Sequence, residues 1–362
     1  MNRFFALTLL TFSCFLAIAC GSSEEDADEP ASQVQTQQEV VDPKADWPSV
    51  FRLGLFGQDD AEEVVTENQA MKHLLEEALG IPVEIFTGTS YSAVIEAMRA
   101  DRVEAMTVGP FAYVLAVQEA QAEAVAVSIS NRDEAKVDDS VLPYYFSVVF
   151  TKKGNGIESI EDIRGQGFNF VDPASTSGHL APKTLLINLG YDPDKDFQTV
   201  FAGSHPTSVI SVWNDKAPAG ATHEGNLLAL DNEGQVDWCN YSDGKVNVPR
   251  TQEEIDAHFD SCPDGSIVIL AQSDPIPNTP FSVRSNLPES LKQAVKEALL
   301  GTTANQAYIA ERSACETCST PLTWYVDPSP ELGLDRLDQF YNPLRDIARL
   351  LDLDLRELAE GG

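Results

Sequence analysis

The sequence predicts an α/β protein of two lobes that are joined by two strand-like crossings. Short apolar strands alternate with helices of apolar periodicity along most of the chain, a pattern typical of parallel βαβ units. The roughly 310 residues from Trp47 onward are more than one hydrophobic core usually serves. Extended apolar segments near residues 143–150 and 271–284 interrupt the alternation and predict the two crossings. We therefore expect a hinged clamp that binds its ligand between the lobes.

The first predicted lobe comprises residues 48–143. Its strands and helices alternate, with strands over 50–56, 81–86 and 103–108 and helical segments around 71–79, 90–98 and 111–120. Gly80 marks the expected end of the first helical segment, and Gly109 followed by Pro110 ends the third strand.

The second predicted lobe comprises residues 144–271 and repeats the alternation. Strands are predicted over 144–150, 168–171, 199–202, 217–222 and 266–270, and helices follow Ser175 and Pro206. Residues 231–264 break the pattern because they are polar and rich in turn-forming residues, so we interpret them as a surface insertion. Residues 272–362 contain the second crossing, a strand over 281–284 and a helical part that we expect to return mainly to the first lobe.

The N-terminus predicts export and a lipid anchor. Residues 1–20 combine a basic start at Arg3 with a short apolar stretch, as in a signal peptide. The segment from Leu16 to Cys20 resembles the bacterial lipobox, although an ordinary signal peptide cut nearby is an alternative. Residues 21–47 are acidic and poor in core-forming residues, which predicts a disordered tether. We expect a lipoprotein in the periplasm or on the outer face of the cytoplasmic membrane, anchored through Cys20.

Charge and cysteine content limit the possible partners. The chain has 57 acidic and 24 basic residues, a net charge of -33, which argues against binding to nucleic acid. Four cysteines remain once Cys14 leaves with the signal peptide and Cys20 carries the lipid, and an exported protein is expected to oxidise them. Of the three possible pairings, we favour the one in which each pair lies in one loop-rich stretch: Cys239–Cys262 and Cys315–Cys318. We expect no metal and no cofactor, because no second CxxC motif or histidine pair accompanies Cys315 and Cys318.

The most informative segment runs from Asp172 to His179, with the sequence DPASTSGH. Ser175, Thr176, Ser177 and a glycine stand where a helix begins directly after a predicted strand. Free backbone N–H groups, the positive end of the helix dipole and short hydroxyl side chains are suited to binding an oxyanion. Because the chain as a whole is acidic, such a site must depend on local dipoles rather than on a general positive field.

Three further polar segments follow predicted strands. Tyr91 lies at one predicted helix start, His205 and Thr207 lie at another, and His223 and Glu224 follow a predicted strand of small residues. Each has an ordinary structural interpretation on its own, as an N-cap, as core packing of the tyrosine or as a solvated turn. Their recurrence across both predicted lobes favours one shared binding site.

The chain resembles the phosphonate-binding periplasmic proteins, the solute receptors of phosphate, phosphite and phosphonate ABC importers. The matching segments are YSAVIEAMR at 91–99, DPASTSG at 172–178, AGSH at 202–205 and SDPIP at 273–277, within a similarity that covers residues 51–287. DPASTSG is the most specific of these segments. The resemblance implies a type 2 periplasmic-binding-protein fold with a hinge, capture of a solute without catalysis, and an ABC permease as partner. We also expect a monomer.

The resemblance further implies which residues hold the ligand. The phosphonate oxygens would be bound by a tyrosine, the Ser-Thr-Ser run and a histidine, which are here Tyr91, Ser175, Thr176, Ser177 and His205. Thr207 opens the same helix as His205, and Glu224 lies near the position of a second acid, so both are further candidates.

Two departures from the family pattern concern the ligand's substituent. Val108 replaces a second tyrosine of aminoalkyl-phosphonate receptors, and Thr279 replaces an aspartate that would pair with an amine. We therefore expect a small phosphorus oxyanion without an amine: phosphite, phosphate or a short alkyl phosphonate such as methylphosphonate.

Two other functions compete with this hypothesis. A secreted hydrolase with Ser175 or Ser177 as nucleophile is disfavoured, because the chain has no GxSxG motif and no acid clearly placed to orient His179 or His205. A receptor of the same fold for another solute, or a sensor subunit, is the second alternative. Energy for import would come from a separate ATPase, since the chain has no GxxxxGK[ST] loop.

Overall fold

The computed structural model describes residues 44–57, 60–131, 143–316, 318 and 322–359, which belong to one compact unit. The predicted signal peptide, with Cys14 and Cys20, lies outside the described residues, as does all but the last part of the predicted tether. None of the described helices is both long enough and apolar enough to cross a membrane.

The described strands and helices alternate along most of the chain, as the sequence predicts. The strands are β1 (Phe51–Phe56), β2 (Val83–Gly88), β3 (Ala105–Thr107), β4 (Ala122–Asn131), β5 (Tyr144–Tyr145), β6 (Ser147–Lys152), β7 (Gly167–Phe170), β8 (Gln198–Phe201), β9 (Ala219–His223), β10 (Ile267–Gln272), β11 (Ile276–Pro277), β12 (Pro280–Arg284) and β13 (Leu322–Val326).

Helices connect and cover these strands. They are α1 (Ala61–Glu67), α2 (Gln69–Leu79), α3 (Tyr91–Arg99), α4 (Pro110–Ala120), α5 (Ala181–Asn188), α6 (Pro193–Asp196), α7 (His205–Trp213), α8 (Glu224–Asn232), α9 (Gln252–Ser261), α10 (Glu289–Leu300), α11 (Thr302–Ser313), α12 (Ser329–Leu332), α13 (Asn342–Leu350) and α14 (Leu355–Ala359). Short 3₁₀ segments cover Glu161–Ile163 and Leu337–Tyr341, and a wide helical turn over Thr176–Leu180 leads into α5.

Six of the described strands form the first sheet, in the order β13-β4-β12-β3-β1-β2. β1 is parallel to β2 and β3, whereas β12 is antiparallel to β3 and β4, and β13 is antiparallel to β4. One core lies between this sheet and α2 and α10, and another lies against α3, α4 and the segment around Tyr341. The C-terminal part of the chain therefore packs on the first sheet.

The second sheet has the order β10-β6-β9-β7-β8 among the described strands. β7 is parallel to β8 and β9, and β6 is antiparallel to β9 and β10. Its two faces are covered by separate apolar clusters, one around Val209, Leu227 and Trp238 and the other around Phe168, Leu186 and Leu270.

The chain passes between the sheets at the two segments that were predicted as crossings. Along the chain, β5 connects β4 of the first sheet to β6 of the second, and β11 connects β10 of the second sheet to β12 of the first. β5 and β11 pair antiparallel, Ile276 with Tyr145 and Pro277 with Tyr144. The prediction of one strand over 144–150 was wrong in detail, because the pairing is interrupted at Phe146 and two strands result. The paired crossings complete the expected two-sheet α/β arrangement with a hinge.

The segment 231–264 is more firmly attached than a polar surface insertion would be. It contains α9, and its Trp238 and Ile255 are 5% and 2% exposed within the core of the second sheet. The Cys239–Cys262 disulfide closes the segment, and Cys315–Cys318 forms the second disulfide, which confirms the predicted pairing. The sequence pattern concealed this anchoring because few apolar residues carry it.

Candidate functional site

A cavity of about 350 Å³ is lined by residues from the ends of both sheets. Tyr91 and Gly109 contribute from the first-sheet side, and Ser177 and His205 contribute from the second-sheet side. The crossings add Tyr145, Asn278 and Thr279 to the wall. The cavity therefore lies where strand ends and helix starts meet, which is the expected place for a ligand in such a fold.

Helices begin at the wall of this cavity. The side chains of Ser90 and Ser204 cap α3 and α7 by accepting hydrogen bonds from Ala93 and Thr207 N–H at 3.1 and 3.0 Å, and Ser175 caps the turn that starts at Thr176. α8 begins at Glu224, where the ring nitrogen Nδ1 of His223 accepts a hydrogen bond from Asn226 N–H. These starts direct backbone donors and positive helix ends towards the same space.

The Ser-Thr-Ser run forms a buried group of hydroxyls. Ser175 Oγ accepts a hydrogen bond from Gly178 N–H at 3.0 Å, lies 3.5 Å from His205 Nε2 and contacts the hydroxyl of Tyr91. A Cβ at Gly178 would stand 2.3 Å from Cβ of Val171, so only glycine permits this tight return of the chain. The family-like segment thus has a steric as well as a polar reason for its residues.

Thr176 links the two sides of the cavity. Its Oγ1 accepts a 2.7 Å hydrogen bond from the N–H of Phe111, in the first turn of α4. Thr176 and Phe111 are 1% and 0% exposed, so the bond is shielded from water. Because the N–H of Phe111 has no partner within its own helix, the Thr176 side chain acts as the cap that α4 lacks.

Two tyrosines keep their protons in the cavity wall. Burial raises the pKa of Tyr145 to about 12, although hydrogen bonds with Ser177 and Thr176 oppose this shift. Burial, reinforced by the nearby Asp172, raises the pKa of Tyr91 as well. Both phenols are therefore neutral and present a hydroxyl group as hydrogen-bond donor.

The histidines of the cavity are also neutral. Burial lowers the pKa of His223 to about 4, and burial together with the neighbouring His223 lowers the pKa of His205 well below its usual value. Since Nδ1 of His223 accepts a hydrogen bond, its proton lies on Nε2. His205 Nδ1 lies 3.0 Å from the Thr222 hydroxyl, which also accepts from Asn226 Nδ2. Because the Thr222 hydroxyl already accepts a hydrogen bond from Asn226, it donates its own proton to the unprotonated Nδ1 of His205. The proton of His205 therefore lies on Nε2, towards Ser175.

Formal charge is scarce on this wall. Among the described lining residues, the charged side chains are Glu67 and Arg312, which form an ion pair at 3.7 Å. The remaining polar lining residues offer hydroxyl, imidazole, amide and backbone groups. The arrangement suits an anion that is held by neutral dipoles.

The predicted site residues are brought together to different degrees. Tyr91, Ser177 and His205 line the cavity, and Ser175 and Thr176 lie directly behind them in contact with these groups. Thr207 instead lines an adjoining cavity of about 560 Å³. Glu224 is buried, is not among the cavity-lining residues and accepts a hydrogen bond from Asn247 N–H, because the insertion folds back over the start of α8.

Other lining residues were not identified as ligand contacts from the sequence. Tyr145, Asn226 and Asn247 line the cavity, and His223, which was interpreted mainly as a turn residue, caps α8 beside them. Val108 and Thr279, the two departures from the family pattern, also lie on the wall.

The geometry does not assemble a serine-protease triad. The imidazole of His205 lies near Ser175, but its other nitrogen meets the hydroxyl of Thr222 rather than a carboxylate. His179 Nδ1 lies 2.8 Å from the carbonyl oxygen of Pro173. Within the part of the chain that the structure describes, neither histidine has the orienting acid that the hydrolase hypothesis requires.

Two sheets joined by paired crossings, with a cavity of neutral donors between their ends, define the fold as that of the type 2 periplasmic binding proteins. Residues 53–315 match the sequence profile of a family described as "ABC transporter, phosphonate, periplasmic substrate-binding protein". The chain belongs to this family, whose members are transport proteins rather than enzymes.

Curated relatives agree with the family assignment. The phosphonates-binding periplasmic protein of Escherichia coli (strain K12) is 28% identical over 268 residues, which are 72% of this chain and 69% of that protein. The phosphate-import protein PhnD of Mycolicibacterium smegmatis is 29% identical over 183 residues, or 48% of this chain. The match spans about half of this second relative, 55% of its length.

Solved structures share the fold at lower identity. PhnD1 from Prochlorococcus marinus (MIT 9301), in complex with methylphosphonate, has a TM-score of 0.60 and 16% identity, with 84% of this chain and 99% of that chain covered. A binding-protein component of an ABC phosphonate transporter from Pseudomonas aeruginosa has a TM-score of 0.59 and 20% identity, with 85% and 96% covered.

Proposed function

We propose that this protein captures a small phosphorus oxyanion between two lobes and presents it to an ABC permease. Binding shifts an equilibrium between open and closed forms, and no covalent step is involved. The lobes correspond to residues 48–143 and 144–271, with the C-terminal part from 272 onward packed mainly on the first. The protein acts as a monomer.

The observation that carries the proposal is the group of neutral donors around one cavity. Ser177, Tyr91, Tyr145 and His205 offer hydroxyl and imidazole protons there, next to several helix starts. Hydrogen bonds to a charged ligand are stronger than those between neutral groups, so such a wall can hold an anion without lysine or arginine. Tyr91, Ser175, Thr176, Ser177 and His205 are the proposed binding residues.

The proposed ligand is phosphite, phosphate or a short alkyl phosphonate. Val108 and Thr279 stand on the cavity wall where amine-binding receptors of the family are expected to carry a tyrosine and an aspartate. This ligand class agrees with the names of similar proteins. One relative is named for phosphate import, another for phosphonate binding, and a structure of the same fold contains methylphosphonate.

Titration calorimetry of the purified protein tests the ligand class. We expect phosphite, phosphate or methylphosphonate to bind more tightly than 2-aminoethylphosphonate, because the cavity offers no acid apart from the paired Glu67 among its described lining residues. Tightest binding of the aminoethyl compound would refute the proposed preference. No binding of any of the four would refute the function.

We also propose that lipid on Cys20 holds the protein at the membrane, with residues 21–47 as a tether. The expected result is that the wild-type protein enters the detergent phase of a Triton X-114 separation and that Cys20→Ser stays in the aqueous phase. Equal partitioning of both would show that Cys20 carries no anchor.

A sensor subunit is the second candidate. The tetrathionate sensor histidine kinase TtrS of Salmonella typhimurium is 23% identical over 193 residues, 52% of this chain and 32% of that protein. Genes for a permease and an ATPase beside this one would favour import, whereas a neighbouring histidine kinase without them would favour sensing.

A further inference from the structure

Asn247 of the insertion lines the cavity and holds an unused hydrogen-bond acceptor there. Its side-chain oxygen Oδ1 is buried and has no hydrogen-bond partner among the described residues. A buried acceptor without a donor destabilises the folded protein, and folded proteins leave few such groups unexplained. A donor supplied by the ligand would complete this amide.

The backbone around Asn247 is fixed in place. Asn247 has a left-handed φ of 58°, which asparagine tolerates better than most residues. Its N–H donates to a carboxyl oxygen of the buried Glu224 at 2.5 Å. Gln272 bonds the carbonyl of Val248 and the N–H of Arg250 at 3.0 and 2.8 Å. The side chain is therefore presented by a rigid loop, and Glu224 serves to position it.

Several polar groups of the cavity can donate hydrogen bonds, and Asn247 adds a buried acceptor whose partner the ligand can supply. Ser177, His205 and His223 line the same cavity and suit the bare oxygens of a tetrahedral anion. A singly protonated phosphonate or phosphate has one P–OH group beside these oxygens. A sulfonate or sulfate anion of the same shape has none at neutral pH.

We propose that Asn247 accepts a hydrogen bond from the P–OH group of a singly protonated phosphorus oxyanion, so that the insertion makes the cavity select phosphorus oxyanions over sulfonates. The inference rests on the proposed function and adds a specificity residue to it. It also gives the segment 231–264 a role at the ligand rather than at the surface alone.

A matched pair of ligands tests this role. Methylphosphonate, at a pH where it is a monoanion, and methanesulfonate have the same charge and nearly the same shape, and they differ in the P–OH proton. We expect the wild-type protein to bind methylphosphonate far more tightly. Asn247→Gly removes the amide while the left-handed backbone stays relaxed. It should weaken methylphosphonate binding about 10- to 100-fold and leave methanesulfonate binding nearly unchanged.

Two more variants sharpen the result. Asn247→Asp keeps an acceptor, and aspartate tolerates the same left-handed backbone. This variant should retain the affinity for the methylphosphonate monoanion and bind methanesulfonate more weakly than the wild-type protein does. Asn232→Gly makes the matched substitution at an exposed position outside the cavity and should leave the ratio of the two affinities unchanged.

Several outcomes would overturn the inference while the proposed function stands. These are an equal loss of both ligands in Asn247→Gly, no loss of either, or loss of methylphosphonate in Asn247→Asp, which would indicate that the amide donates. Equal wild-type affinity for both ligands would overturn it too. A wild-type protein that binds no phosphorus oxyanion would overturn the proposed function and this inference together.

Discussion

Replacing Thr176 with valine should weaken ligand binding because it destabilises the closed form of the protein. Valine keeps the shape of the side chain and removes the hydroxyl that accepts the 2.7 Å hydrogen bond from Phe111 N–H. Both residues are at most 1% exposed, so the N–H loses its acceptor without gaining water as long as the cleft is closed. In the open form of the proposed hinge, water can reach the N–H. The cost therefore falls mainly on the closed form.

The magnitude follows from the burial of this donor. A buried donor without a partner costs about 1–3 kcal/mol, so the apparent affinity for methylphosphonate should fall by about 5- to 150-fold. The free energy of unfolding without ligand should change much less than the binding free energy. Titration calorimetry measures the first effect, and denaturant unfolding of the ligand-free protein measures the second.

Thr184→Val is the matched control. The hydroxyl of Thr184 in α5 donates to the carbonyl of Leu180, one turn earlier, and Thr184 does not line the cavity, so its loss should not affect ligand affinity. Unchanged affinity in Thr176→Val would refute the reasoning, and so would an equal loss in both variants.

Three further predictions concern pH, the disulfides and the amine. Burial lowers the pKa of His179 to about 4, so the unfolded chain takes up a proton first on acidification. Stability from this residue is present above about pH 6.5 and should fall by about 3 kcal/mol by about pH 4. Replacing both Cys239 and Cys262 with alanine should lower the free energy of unfolding by about 3 kcal/mol, because the disulfide closes a loop with a sequence separation of 23. Thr279→Asp places a carboxyl on the cavity wall and should shift preference towards 2-aminoethylphosphonate by about ten-fold.

Each of these predictions has its own control. Denaturant unfolding of His179→Asn should show a smaller difference between neutral and acid pH, and an unchanged difference would contradict the burial argument. Removal of the Cys315–Cys318 disulfide, which closes a loop with a sequence separation of 3, should lower the free energy of unfolding by about 2 kcal/mol. A larger loss than for the Cys239–Cys262 disulfide would contradict the entropic account. An unaltered ligand preference in Thr279→Asp would show that the amine does not reach this position.

Local patterns in the sequence predict most of the fold. Strands with buried apolar residues and helices ended by Gly80 or started at Ser90 and Ser204 follow from periodicity and capping. β4 and β13 were not predicted. Each joins the first sheet by pairing with strands that are distant in sequence, since β4 pairs with β12 and β13. Pairing between distant segments leaves little trace in either segment alone.

The start of α8 was missed for a different reason. Histidine is not a usual N-cap, yet the ring nitrogen of His223 caps this helix. The segment therefore has the sequence of a polar turn although it continues as a helix.

The lining of the cavity was predictable where one helix start carries it. The Ser-Thr-Ser run and Tyr91 combine side chains and backbone donors that neighbour each other in sequence. Tyr145 and Asn247 depend on how distant segments meet: the pairing of β5 with β11 places the first, and the anchored insertion places the second. The composition of these segments does not reveal where their side chains lie.

A crystal structure of the protein with methylphosphonate tests the central claim most directly. The account predicts that the phosphonate lies in the cavity between the sheet ends, with its oxygens within hydrogen-bond distance of hydroxyl groups, imidazole Nε2 atoms and helix-start N–H groups. A phosphonate bound outside this cavity would contradict the account. So would a phosphonate held in the cavity by Arg312 in place of those neutral donors.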